Sequence, residues 1–471
     1  MVFSSLTFLC LFLPITVGLH ALVKNTAARN VILLIASMLF YAWGEPIWIL
    51  AMVASTAVNY VCAKIIANTE NPARRKLALG IGVAISLSAL MYFKYAAFLI
   101  NSVCSLLGSG YQMTAPKLPI GISFYTFQII TYTVDVYRRQ APLQKNPFYL
   151  LLYVSLFPQL IAGPIVRYAD VALAIEDRKV TEKGLKEGFF RFSLGLGKKV
   201  LLANLCGEVL GSLPAPAEMS FLSGWLATAL FSLQVYFDFA GYSDMAIGIG
   251  RMLGFRFLEN FDAPFVAKSV SEYWRRWHIS LGTFFREYVY IPLGGNRVSR
   301  GRWILNMAVV WGLTGIWHGA NWNYLIWGLY FGLLMVLERT VLQRLLDKTP
   351  AVLRHILVLI AALVGFVLFR NESFYDIGCQ LRAMFLPWRV QLSDPYAVYA
   401  VKSNPILLIA CLICSLPLRK AAQAWFKRRK AEGKRNAFRP YAKALTSLFI
   451  LWLSVLFLVG QSFNPFLYFR F

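Results

Sequence analysis

Two of the four histidines in this 471-residue chain, His278 and His318, stand in polar insertions of a strongly apolar sequence. His278 sits with Glu272, Arg275 and Arg276 in SEYWRRWHIS, and His318 in GIWHGANW is followed by Gly319, Ala320 and Asn321. Ionisable groups are costly in a bilayer unless they line a cavity, so an intramembrane histidine is a site hypothesis by default. Imidazole titrates near neutral pH and can take a proton from an attacking hydroxyl. An amide such as Asn321 can donate a hydrogen bond to the oxyanion that forms. Two other readings stay open: a buried histidine bonding a carbonyl across helices, and a proton relay. No GxSxG elbow or metal-type histidine cluster competes.

The elements that must position these groups follow from spacing. Residues 271–285 read as one amphipathic helix with Trp274, Trp277, Leu281 and Phe284 or Phe285 on a single stripe. Glu272 in the first turn favours a start at Ser271. The helix is too short and charged for an ordinary span, so it reads as re-entrant or interfacial and delivers His278 to an aqueous pocket. IPLGGNR, with Asn296, has the composition of a turn whose amides are open to an anion, although a structural turn is the simpler reading. Trp303 to Trp317 is apolar apart from Asn306 and Thr314, and Gly312, Gly315 and Gly319 permit close helix packing. Upstream, Asp238 and Asp244 are six apart in FSLQVYFDFAGYSDMAIG and point to different sides of a helix. One would face a cavity and the other cap a break at Gly241; buried aspartates paired with arginines are the simpler reading.

The composition sets the class. At 58% hydrophobic and 15% charged residues the chain is an integral membrane protein, and the apolar runs make it all-α. Lys+Arg 47 against Asp+Glu 22 gives +25, but the cations fall between apolar runs, which is the positive-inside bias rather than nucleic-acid binding. The cysteines lie mostly inside apolar runs, and Cys411 with Cys414 reads as packing. The run from Ser5 to Val23 has its first cations, Lys24 and Arg29, behind it, which marks a retained span with its N-terminus outside. Apolar runs near 5–23, 31–43, 47–66, 77–92, 95–107, 119–136, 147–165, 185–212, 220–252, 303–318, 321–345, 351–369, 404–417 and 442–462 give about eleven crossings plus re-entrant pieces. The most basic stretch, 419–439, reads as cytoplasmic and puts the tail FNPFLYFRF outside. Polar residues within 119–136 and Pro158, Gly163 and Pro164 within 157–167 belong to an interior, where irregular backbone is tolerated. Without a linker or a regular repeat, 1–471 reads as one membrane-embedded domain, with 110–340 as the part that carries the site.

These residues also occur together in a recognisable order. MVFSS, LPIGISFYTFQIITYTVDVYR at 118–138, FPQLIAGPIVR, VYFDFAGYSDMAIGIGRMLGF at 235–255, ENFDAPFVAKSVSEYWRRWHISLGTFFREYVYIPLGGNR and GIWHGANWNYLIWG resemble the membrane-bound O-acyltransferase family, in the branch serving bacterial alginate O-acetylation. The resemblance implies a helical ring with a central tunnel, a catalytic histidine at the WHG position, His318, and a second functional histidine, His278. Residues in or near such a tunnel would be Glu272, Trp274, Arg275, Arg276, Asn296, Trp317, Asn321, Asp238, Tyr236 and Gln128.

The same resemblance implies no bound cofactor or metal, but a cytoplasmic acyl donor, acetyl-CoA or an acyl carrier protein thioester. It implies an exported polysaccharide as acceptor, completed by a periplasmic SGNH-type transferase or an export complex, in the bacterial inner membrane. Related branches serve peptidoglycan O-acetylation and teichoic-acid D-alanylation. Many relatives carry a further histidine in the helix after WHG, where this chain has Phe331. A proton-coupled transporter and a passive scaffold are the readings from other classes.

Overall fold

Where no water is at hand, backbone polar groups must be bonded within the segment itself, so apolar runs of this length fold as helices. The computed structural model describes residues 1–161, 163–432 and 439–460, and among them there are helices and loops but no strand. Ala162, part of the basic stretch 419–439 and the tail 463–471 lie outside the described residues. The chain groups into two units: Met1–Gly195 with Tyr242–Leu258, and Leu196–Gly241 with Glu259–Phe471.

The first unit contains α1 (Phe8–Leu22), α2 (Thr26–Ala42), α3 (Ile49–Asn68), α4 (Pro72–Leu106), α5 (Ile122–Tyr137), α6 (Pro147–Ser155), α7 (Tyr168–Glu176) and most of α8 (Glu182–Gly197). The apolar runs 77–92 and 95–107 form the single 35-residue α4. No proline or glycine separates them, and a π-turn at Met91–Tyr95 absorbs the irregularity. At 1.5 Å per residue α4 is about 52 Å long, more than a bilayer's hydrocarbon core. The run 147–165 is not a span: Pro158 cannot donate a bond back to Val154, and α6 ends at Ser155. The irregular chain that follows is buried and lashed down by Gln159 Nε2 to the Tyr153 carbonyl (2.6 Å) and the Tyr153 hydroxyl to the Val166 carbonyl (2.8 Å). The polar residues of α5 are buried as expected. Thr133 donates to Asn59 Oδ1 (2.8 Å), whose Nδ2 donates to Ser86 (2.9 Å), so one network ties α3, α4 and α5.

The second unit holds His278 and His318 and the helices around them: α10 (Val270–Arg276), α11 (Ile279–Phe285), α12 (Arg300–His318), α13 (Trp322–Thr340) and α14 (Ala351–Arg370). The 32-residue α9 (Phe221–Met252) contributes to both units and has no break at Gly241. One helical glycine costs about 1 kcal/mol and does not by itself end a helix. There is therefore no helix end at Gly241 for Asp244 to cap. It accepts from Arg191 Nε at 2.7 Å within the first unit, while Asp238 pairs with Lys199 Nζ at 2.8 Å within the second.

Helices α12 and α13 form a close hairpin, where a Cβ at Gly315 would overlap the Tyr324 carbonyl oxygen and one at Gly328 the Trp311 carbonyl oxygen. Gly315 serves as the sequence anticipates. Gly312 does not: a Cβ there would have its nearest neighbour at an ordinary 3.8 Å.

Among the described residues four helices are long and apolar enough to cross a membrane: Ile49–Asn68, Pro72–Leu106, Ala351–Arg370 and Pro440–Gly460. Pro395–Ser403 and Pro405–Ser415 make a fifth if their 71° bend is taken as one broken span. With the shorter apolar helices these describe a multi-pass membrane protein.

Three outcomes test this packing. Gly328→Ala forces a backbone carbonyl to move and should cost about 1–3 kcal/mol, seen as a lower thermal midpoint in detergent. Gly80→Ala, with nothing within 4 Å, should leave the midpoint unchanged or slightly raised. Asp244→Leu should destabilise by about 3–5 kcal/mol because it strands a buried guanidinium, and adding Arg191→Met should recover most of that loss.

Candidate active site

The expected single helix over 271–285 is broken at His278, whose φ of 44° and ψ of 54° lie in the left-handed region. The stripe from Trp274 to Phe285 is therefore interrupted, with Trp274 on α10 and Leu281 on α11. Local bonds hold the kink. The Ile279 N–H donates to the Asn260 carbonyl (3.0 Å) and the Asp262 N–H to the Arg276 carbonyl (2.9 Å), so the segment after α9 runs beside the break. Arg276 Nη1 donates to the Asp262 carbonyl (3.0 Å), and its Nε and Nη2 donate to Glu272 (2.9 and 2.8 Å). Burial opposes ionisation of Glu272, but the Lys268 amide and the Arg276 guanidinium outweigh it and hold the carboxyl below the usual range.

Helix α10 starts one residue earlier than expected. Ser269 caps it by accepting from the Glu272 N–H (2.9 Å), and the Glu338 carboxylate of α13 accepts from Val270 (2.5 Å) and Ser271 (3.2 Å). An acid at a helix N-terminus satisfies orphan amides and matches the dipole.

His278 is 2% exposed, with Nδ1 3.2 Å from Asn260 Oδ1 and its ring edge-on to Phe239 at 4.6 Å. His318 is the last residue of α12. The chain leaves the helix there, with Gly319 extended and its N–H bonded to the Ile316 carbonyl (3.2 Å). The His318 ring meets Trp327 (4.9 Å), Trp317 (5.0 Å) and Phe369 (5.2 Å) edge-on.

Both histidines line one cavity of about 30 Å³ in the second unit. Its walls are aromatic, from Trp274, Trp277 and Tyr273 of the α10 segment and Trp327 and Phe331 of α13 to Phe366 and Phe369 of α14. Asp238 contributes its side chain from α9, neutralised by Lys199, with the two side chains 4% and 3% exposed. Such a volume holds one or two small groups, since a water needs roughly 10–15 Å³. Two imidazoles on one ring-walled cavity can exchange a proton with a bound hydroxyl.

The structure thus brings together His278, His318, Trp274 and Asp238. Trp317 and Tyr236 are buried beside the cavity without lining it; Trp317 lies 5.9 Å from the His278 ring, and Tyr236 packs on Phe265 (5.2 Å) and Phe261 (5.8 Å). Glu272 and Arg276 are spent on each other and on the kink, and Arg275 is exposed. Asn296 is exposed in the turn after α11, a turn held by Asn306 Nδ2 donating to the Leu293 (3.1 Å) and Gly295 (3.2 Å) carbonyls. Asn321 does not face the cavity as an oxyanion donor; its Oδ1 accepts from the Trp322 N–H (2.6 Å) as the cap of α13. Gln128 is fully buried in the first unit and does not line the cavity. The 119–136 and 157–167 segments belong to that unit too and do not line the cavity, whereas Val235, Asp238 and Phe239 of α9 do.

Sequence reasoning missed Asn260, Lys199, Trp327, Phe366 and Phe369. Asn260 stands in ENFDAPF, and nothing in a loop motif shows which side chain reaches an imidazole. The remaining histidines are engaged elsewhere, His20 with Arg178 (3.1 Å) and His355 with the Ala267 carbonyl (3.1 Å). Among the described residues no group of three or more His, Cys, Asp or Glu is placed to hold a metal ion. Cys411 packs against Cys206 with sulfurs 3.5 Å apart, and Cys414 is exposed.

Comparison with known proteins places the chain in a family. The model of the membrane-bound O-acyltransferase family, MBOAT, matches residues 87–369. The chain is 37% identical over 501 residues to the probable alginate O-acetylase AlgI of Azotobacter vinelandii and 38% identical over 502 residues to that of Pseudomonas putida, covering 100% of both chains in each case. It is 30% identical over 514 residues to the peptidoglycan O-acetyltransferase of Helicobacter pylori, covering 100% of this chain and 98% of that protein. The chain is an acyltransferase and belongs to the membrane-bound O-acyltransferase family.

Proposed function

We propose that the chain moves an acetyl group from a cytoplasmic thioester, acetyl-CoA or an acylated carrier protein, toward a hydroxyl of an exported, alginate-type polysaccharide. The observation that carries this reading is the placement of His278 and His318 on one small aromatic cavity. The cavity has room for a small group beside the two imidazoles. The whole-length identity to proteins named as probable alginate O-acetylases supports the acceptor class.

In this reading His318 takes the proton from the acceptor hydroxyl as its oxygen attacks the thioester carbonyl. The new C–O bond forms, the C–S bond breaks, and the departing thiolate receives the proton from the imidazolium. His278 orients the acceptor or shares the proton. The neutralised Asp238–Lys199 pair keeps a bare charge out of the cavity wall. Arg275 and Arg276 have no step, because neither lines the cavity.

The donor side is cytoplasmic, and a periplasmic SGNH-type transferase or an export complex completes delivery, as the family resemblance implies. The protein sits in the inner membrane with both termini outside and about eleven crossings. The order of charges along the sequence supports this orientation. A second reading, peptidoglycan as acceptor, is favoured by the 30% identity over nearly the whole Helicobacter pylori protein.

His318→Ala should lower polymer acetylation by about a hundredfold or more, the usual worth of a general base, at unchanged protein level in membranes. Ester-linked acetate released by mild base, measured separately from exopolysaccharide and from peptidoglycan, checks this and chooses between the acceptors. Acetylation that survives His318→Ala would overturn the assignment. Phe366→Ala should open the wall and raise the rate with butyryl relative to acetyl donor by about tenfold, read in a competition assay with both thioesters.

A further inference from the structure

Asn260 is 1% exposed, and its side-chain oxygen gathers three contacts: the Ser280 backbone N–H at 3.2 Å, the Ser280 hydroxyl at 2.9 Å and Nδ1 of His278 at 3.2 Å. A backbone N–H only donates, so the atom it meets is the amide oxygen and not the amide nitrogen. A carbonyl oxygen only accepts, so the imidazole nitrogen that meets it carries a hydrogen. We propose that Asn260 is the positioning residue of the site, holding neutral His278 as its Nδ1–H tautomer so that Nε2 is the basic nitrogen.

The same residue serves the main chain. Its carbonyl accepts from the Ile279 N–H at 3.0 Å, immediately after the left-handed residue. Asn260 thus fixes the backbone that carries the ring and the ring itself, and Ser280 pins the amide that does so. Phe239, edge-on at 4.6 Å, stops the imidazole from tipping away. A histidine oriented through its second nitrogen by a neighbouring acceptor has a defined tautomer, which a proton-transfer role requires. The inference rests on the reading that His278 takes part in the acyl transfer.

The test uses the full-length protein in lipid with ring-labelled histidine. Only four histidines contribute, so His→Gln variants assign each resonance. Nitrogen and carbon shifts separate Nδ1–H from Nε2–H imidazole directly, without any turnover. His278 should be the Nδ1–H form in the wild type and a mixture in Asn260→Ala. Asn260→Asp keeps the acceptor oxygen and, where the alanine variant fails to fold, still tests the contact: the Nδ1–H should persist and the ring should protonate about one pH unit higher or more. The other ionisable groups at this cavity are His318, Tyr273 and Asp238 with its partner Lys199, and all are unchanged in that variant.

A wild-type Nε2–H tautomer, or a tautomer unaltered by Asn260→Ala, would overturn the proposal. In parallel, initial rates with acetyl-CoA should show kcat lowered about tenfold or more with KM for the thioester nearly unchanged. Should the tautomer respond as expected while both Asn260→Ala and His278→Gln retain full rate, the hold on the ring stands and the role assigned to His278 falls.

Discussion

His278 adopts a left-handed backbone conformation that costs a non-glycine residue on the order of 1–2 kcal/mol, and the arrangement of the site depends on that cost being offset. Continued helix through 278 would leave Trp274, Trp277 and Leu281 on one stripe facing one neighbour. The kink instead ends α10 at Arg276 and starts α11 on a new axis. Trp274 can then meet Trp311 and Phe331 at 4.8 Å and Trp327 at 5.5 Å, while Trp277 reaches Phe366 at 5.5 Å. The compensation is local: two backbone bonds to the 260–262 segment, the Arg276 guanidinium on the Asp262 carbonyl, and the Glu338 carboxylate at the start of α10. The cavity is what the rings enclose once the chain has turned.

A chain this apolar makes every polar side chain conspicuous, yet most of them are already committed. In the first unit Asn59, Ser86 and Thr133 bond across helices, and Arg191 is matched by Asp244. In the second, Arg276 and Glu272 support the kink, Asn306 holds a turn, and Asn321 caps a helix. Satisfying such groups internally is the condition for placing them away from water. It also narrows the chemistry, because beyond the indole N–H groups the polar side chains that line the cavity are the two imidazoles, Asp238 and Tyr273. Polar residues near a histidine in sequence are poor guides to the site for the same reason: proximity along the chain places them at the caps and kinks that build it.

That contrast sets how much was legible. Helices, membrane class and the two histidines followed from apolar run length and from the cost of ionisable groups in lipid, both of which act locally. Burial of the α5 polar residues followed from the same rule. The break at 278 was not legible, since no proline or glycine marks it and the clamping groups at 260 and 262 come from another segment. Charge and amide chemistry at Arg276 and Asn321 can be read from a sequence, while their partners, Glu272, Asp262 and the α13 backbone, are set by folding, as is the exposure of Arg275. Asn260, Phe366 and Phe369 are the opposite case: an asparagine in a loop and phenylalanines in a span look ordinary until their neighbours are known. The helix period of α9 did predict that Asp238 and Asp244 face different ways. It could not say that their counter-ions would be Lys199 and Arg191.

The occupancy of position 331 shows how these constraints meet. A third imidazole on α13 would need its own acceptor or counter-charge in a wall whose polar capacity is already limited. Phe331 asks for none. It sits edge-on to Trp274 at 4.8 Å and to Trp327 at 5.5 Å, and Gly365 of α14 leaves the space its ring fills, since a Cβ there would overlap the Phe331 Cζ. The ring therefore does two things at once: it keeps the wall apolar and it reduces the volume. Low polarity strengthens each remaining hydrogen bond in the cavity, and the rings leave a space of about 30 Å³ beside the imidazoles. The position of the two imidazoles and the low polarity around them then have one structural origin, the packing of aromatic rings around two histidines.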